Sequence, residues 1–154
     1  MPAWPDSVTT CKGDLLREMH RPTQSSPDDP TAITGTTEKM LGLGVAFTPR
    51  RTGRVLVITK GNITGNTTAK LTTVQLKYGT GTAPANDAAN TGTAAGVVST
   101  FTTLTGMLTV PFADVALIDG LTIGTAYWFD YNAKTDDAGT TGRVLGLNVT
   151  VVEI

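Results

Sequence analysis

The chain has 154 residues, enough for one ordinary domain and too few for two well-cored ones. Its 12 basic and 13 acidic residues nearly cancel, which argues against a dedicated nucleic-acid binder, and no apolar run is long enough for a transmembrane helix. One cysteine, Cys11, and one histidine, His20, exclude an intrachain disulfide framework, a cysteine-rich zinc site and every motif that needs two histidines. The start, Met1-Pro2-Ala3-Trp4-Pro5-Asp6, has neither a basic leader nor an apolar run, so no secretory signal is expected. Threonine favours strands and glycine punctuates turns; a chain rich in both, with only 16% charged residues, reads as all-β.

Residues 1–33 differ from the rest. Five of the eight prolines (Pro2, Pro5, Pro22, Pro27 and Pro30) lie there, and proline removes donors and restricts its predecessor. Only Lys12 to His20, with Leu15, Leu16 and Met19 at helical spacing, offers one or two amphipathic turns, too short to stand alone. This stretch is expected to be an extended arm, and residues 34–154 the domain. The apolar side chains Trp4, Leu15, Leu16 and Met19 imply a surface for the arm to lie on.

From Thr34 the pattern has period two. Leu41, Leu43, Val45 and Phe47 alternate with small residues and predict a strand. Thr48 to Gly53 has the length of a hairpin turn, and Arg54 to Ile63 follows as a strand apolar on both faces, hence central. Leu71 to Tyr78 reads as half-buried, with Val74, Leu76 and Tyr78 inward and Thr73, Gln75 and Lys77 in water. Gly79 to Gly96 holds no large side chain and is expected to be a long loop, either functional or mobile. Val97 to Phe101 and Met107 to Phe112 are short strands, Leu117 to Gly124 a turn region, and Ala126 to Lys134 and Arg143 to Ile154 the last strands. The expectation is an antiparallel β-sandwich or jelly roll of about seven or eight strands with an extended N-terminal arm. Leu121-x-x-Gly124-Thr125-x-Tyr127 has the form of a tyrosine corner, in which the phenol bonds backbone just upstream.

No set of residues competent for catalysis emerges. The only base for a nucleophile is His20, in the arm, where nothing preorganises it. Asp114, Asp119, Asp130 and Asp136 could supply paired carboxylates, but Asp119 and Asp136 fall in turns, where aspartate is common for local reasons. The glycine-rich stretches lack the lysine and the strand-to-helix setting of phosphate loops. Neither a metal nor another cofactor is expected. Arg50, Arg51 and Arg54 form the one basic cluster, a solvated tip or a docking point for an acidic protein surface. Cys11 is a free thiol or a link to another chain.

Tyr78-Gly79-Thr80-Gly81-Thr82-Ala83-Pro84-Ala85-Asn86, Gly120-Leu121-Thr122-Ile123-Gly124-Thr125-Ala126-Tyr127-Trp128-Phe129-Asp130 and the terminal Val151-Val152-Glu153-Ile154 resemble small structural proteins of tailed bacteriophages and prophages. The likeness covers residues 34–154. It implies a non-enzymatic virion component, a capsid decoration (cement) protein on the capsid surface, assembled in the host cytoplasm and homo-oligomeric, often a trimer. Its partner would be the major capsid protein, without nucleic acid, membrane or small-molecule substrate. The arm residues Trp4, Cys11, Leu15, Leu16 and Met19 are the expected contacts, because an ordering arm lets a small protein cover much surface. The rival is a receptor- or glycan-binding module of a tail or head fibre, with loop 79–96 as contact surface and Trp128 or Tyr131 stacking on sugar.

Overall fold

The computed structural model describes residues 32–65, 70–102 and 109–154, together with Pro30 and the backbone strand Thr23–Gln24. Ten strand segments follow one another: β1 (Thr23–Gln24), β2 (Ile33–Thr34), β3 (Lys39–Met40), β4 (Val45–Phe47), β5 (Val55–Gly65), β6 (Leu71–Thr80), β7 (Thr93–Thr102), β8 (Thr109–Ile118), β9 (Tyr127–Thr135) and β10 (Thr141–Glu153). Sheet I has the order β1-β10-β5-β8, with β2 also on β10. Sheet II has the order β3-β9-β6-β7, with β4 also on β9. Every pairing is antiparallel.

The pairs β1/β2 and β3/β4 each fill one edge position, so ten segments occupy eight places. The chain passes from the edge of sheet I to the edge of sheet II, then to β5, back to β6 and β7, and so on to β10. That double wrapping is a jelly roll. The expected fold class is therefore the one observed.

Period-two alternation builds the core. Val55, Val57 and Ile63 of β5, Ala116 and Ile118 of β8, and Val149 and Val151 of β10 face Val74 and Leu76 of β6 and Phe129, Tyr131 and Ala133 of β9. Tyr78 stacks on Phe129 at 6.2 Å within sheet II, and Phe112 of sheet I bridges the layers by meeting Phe101 and Tyr131 edge-on at 5.5 and 6.2 Å. Such contacts add to the burial of large apolar side chains. The tyrosine corner forms as expected, with Tyr127 Oη accepting a 3.0 Å hydrogen bond from the Thr122 amide.

Several expectations are corrected. The arm boundary at 33 falls inside a strand: Ile33 is 1% exposed, Pro30 is buried, and Thr23–Gln24 pairs with Val151 and Thr150 of β10. Thr23–Gln24, Pro30 and Ile33–Thr34 thus lie on the body, and residues 1–22 lie outside the described residues. Leu41 to Phe47 is not one strand, because Gly42 and Gly44 take positive φ (77° and 53°) and split it. Thr48 to Gly53 is not a hairpin turn, since β4 lies in sheet II and β5 in sheet I. The small-residue loop ends at Gly92, where β7 begins, and β8 runs to Ile118, so the following turn starts at Asp119. Lys77 is buried rather than in water.

Candidate functional site

The crossover at 48–53 is shaped by a residue a hundred positions away. Glu153, near the end of β10, is 4% exposed. Its Oε2 accepts from the Arg50 amide at 2.9 Å, and its Oε1 from the amides of Arg51, Thr52 and Gly53 and the Thr52 hydroxyl at 2.7–3.3 Å. Burial alone would raise its pKa, but the four backbone N–H groups together outweigh it and hold the carboxyl at about 2. Two of the three arginines, Arg50 and Arg51, thus hold a structural anion through their backbone. Arg50 and Arg54 project outward, and Arg54 Nε is 2.6 Å from Asp119 Oδ1 on the surface.

Asp130 makes the corresponding cradle in sheet II. It is fully buried and accepts from the amides of Gly42, Leu43 and Tyr131 at 2.7–3.1 Å, the first two of them at the break where Gly42 takes positive φ. Here burial dominates, and the carboxyl is pushed up to about 6 despite those three bonds. Its neighbour Tyr131 points the other way, into the sandwich. The Tyr131 phenol bonds Thr59 Oγ1 and Asp114 Oδ2, both at 3.0 Å, so its buried hydroxyl is satisfied across the two sheets. Burial pushes the phenol's pKa up.

These positions separate the four candidate carboxylates. Asp114 lies on the inner side of β8, Asp119 on Arg54 at the surface, Asp130 on the outer side of β9, and Asp136 in an exposed turn. No group of three or more metal-ligating side chains occurs among the described residues. No described helix is long and apolar enough to cross a membrane.

Residues 81–92 fold over the outer side of sheet II. Asn86 donates to the Leu41 carbonyl at 2.8 Å, Met40 and Asp87–Ala88 exchange backbone bonds, and Ala89 bridges Lys39. The Trp128 indole, 5% exposed, lies against Gly79 and Gly92, where any Cβ would strike the ring, and its N–H reaches the Thr80 carbonyl at 3.2 Å. Asn132 bonds Asn90 and Glu38 beneath the same segment. Neither Trp128 nor Tyr131 is therefore presented to a sugar. The loop lacks large side chains because its backbone and amides do the work.

The outer side of sheet I differs. The register aligns Val152 of β10, Leu56 of β5 and Leu117 of β8 in one row, and Thr150, Ile58 and Val115 in the next. Ile58, Val115 and Leu117 are 43%, 61% and 49% exposed, and neither row contains a charge. Monomeric proteins rarely leave large contiguous aliphatic surface exposed. Val97 and Val98 also project from β7, where its register with β6 shifts. Sequence reading took the second apolar face of β5 as the sign of a central strand. β5 is central, but that face is bare in the described structure. Trp4, Cys11, Leu15, Leu16 and Met19 lie outside the described residues.

No protein-family model matches the chain, and no curated protein does. Among solved structures, the Eiger TNF of S. frugiperda is 8% identical, with 88% of this chain and 93% of that one aligned and a TM-score of 0.46. The CBM22-1 xylan-binding domain of a Paenibacillus barcinonensis protein is 8% identical over 84% of this chain and 98% of that one, at 0.36. The VP2 protein of infectious bursal disease virus is 12% identical over 87% of this chain and 32% of that one, at 0.37. Likeness at this level does not bear on function.

Proposed function

We propose that this chain is a virion structural protein, a capsid decoration protein of the tailed-bacteriophage kind, which binds the major capsid protein through its N-terminal arm. In this reading it sits on the capsid surface as a homo-oligomer, a trimer, after synthesis in the host cytoplasm, and it catalyses nothing. The observation that carries the reading is the point where the arm joins the body. Thr23–Gln24 adds a strand to the edge of β10, so the 22 upstream residues, with Trp4, Leu15, Leu16 and Met19 among them, enter at a rigid sheet margin beside a bare aliphatic face. A rigid body with a tethered apolar arm suits repeated docking on a lattice, where many weak contacts sum.

The use of the buried ionisable groups supports a structural role. Asp130 and Glu153 each hold several backbone amides, and Tyr131 ties the two sheets together. The resemblance of the strand and turn phrases to phage structural proteins points the same way. Quantitative mass spectrometry of purified particles tests the proposal. On the order of hundreds of copies per particle is the expected result, since decoration follows the lattice. A handful of copies would replace it with the fibre-module reading.

A further inference from the structure

We propose that the segment Lys12 to His20 of the arm packs on the bare outer face of sheet I in its own subunit, with Leu15, Leu16 and Met19 over Leu56, Ile58, Val115 and Leu117. This rests on the arm reading above in one respect: it divides the arm into an inner part that covers the body and an outer part, with Trp4, left for the shell.

The path is fixed by register. Thr23 lies opposite Val151 and Gln24 opposite Thr150, so the chain upstream of Thr23 runs toward Val152, the first member of the aliphatic row Val152–Leu56–Leu117. Neighbouring strands are about 4.8 Å apart, which places Leu56 about 10 Å and Leu117 about 14 Å from the β1 position. Met19 is four residues from Thr23, a reach of up to about 14 Å. Leu15 and Leu16 lie three and four residues further on, about one helical turn, enough to bring them from above β5 to above β8.

Polarity matches as well as distance. The two rows carry five aliphatic side chains and one threonine with no charge. At helical spacing Leu15, Leu16 and Met19 share one face of the segment, Asp14, Arg17 and Glu18 fall on the opposite face, and Lys12 stands at the N-terminal end of the apolar one. A partner fixed by a short tether acts at an effective concentration in the millimolar range, so even a contact this small is occupied. On sheet II, residues 81–92 already lie against Trp128 and Asn132, and the exposed Val97 and Val98 sit on β7, in the sheet that β1 does not join.

Cys11, the only cysteine, flanks the segment and makes the test direct. A Val115→Cys variant and an Ala89→Cys control, one on each face, are oxidised as the free full chain at low concentration; both positions are exposed, so the body tolerates them. Docking predicts an intrachain disulfide between Cys11 and the cysteine at 115 that forms at least about tenfold faster than the one at 89. A Leu117→Cys variant should behave like the one at 115. Equal rates at 115 and 89 would overturn the proposal. A concentration-dependent interchain product would overturn it in favour of a second copy on the face. Because no shell is present, these outcomes are independent of whether the protein decorates a capsid.

Discussion

The two sheets of this jelly roll share an inner core and differ on their outer sides. Sheet II turns Trp128, Asp130 and Asn132 outward and then buries them, Trp128 and Asn132 against residues 81–92 and Asp130 against the amides of Gly42 and Leu43, a cover that works largely through hydrogen bonds. Sheet I turns Leu56, Ile58, Val115 and Leu117 outward, and no polar backbone segment could satisfy such a surface. A polar cover suits polar side chains and an aromatic with an N–H handle; an aliphatic face needs an aliphatic occupant. The difference teaches which surface still has apolar area exposed: the outer side of sheet I, the sheet that Thr23–Gln24 joins.

The largest expected effect is on the covered side. Trp128→Ala removes the body that Gly79 and Gly92 are shaped to admit and should cost about 3–5 kcal/mol in denaturant unfolding. A cost near zero would show that the 81–92 cover does not depend on the indole. Next comes pH. The Asp130 carboxyl, raised in the folded state to about 6, contributes stability that is fully present below about 4 and lost as the pH rises through about 6. Unfolding measured from pH 4 to pH 8 should therefore lose on the order of 2 kcal/mol, a slope that Asp130→Asn flattens. Glu153, held near 2, acts in the opposite sense: its contribution is present above about 4.5 and is lost as the pH falls toward 2, so Glu153→Gln should remove that acid-side loss. Smallest is the bare side. Val115→Thr, at a site 61% exposed, should change the stability of the body by less than about 0.5 kcal/mol once residues 1–22 are removed. A loss of several kcal/mol would mean that the face belongs to the core.

Much of the architecture was legible because alternation survives in the strands that carry the core. Val55 and Val57, Val74 and Leu76, Phe129 and Tyr131, and Val149 and Val151 all face inward as their spacing predicts. The tyrosine corner was legible because its partners are five residues apart. The crossover at 48–53 was not, since its organiser, Glu153, is remote in sequence and looks like any strand-end glutamate. Nor was the role of residues 81–92: a segment that binds through backbone and short amides shows no hydrophobic period. The aliphatic face of sheet I was visible in Leu56 and Ile58 but was read as burial, because periodicity reports what wants to leave water and not what covers it. The pairing of Thr23–Gln24 and Ile33–Thr34 with β10 was hidden for a related reason. A two-residue strand such as β1 or β2 is too short to show alternation.

The reading stands or falls on the outer part of the arm. Co-sedimentation of capsid shells with the full chain and with a chain lacking residues 1–10, which keeps Leu15, Leu16 and Met19 but loses Trp4, measures it directly. The account predicts that the shortened chain unfolds at the same denaturant concentration and no longer sediments with shells; undiminished occupancy would contradict it.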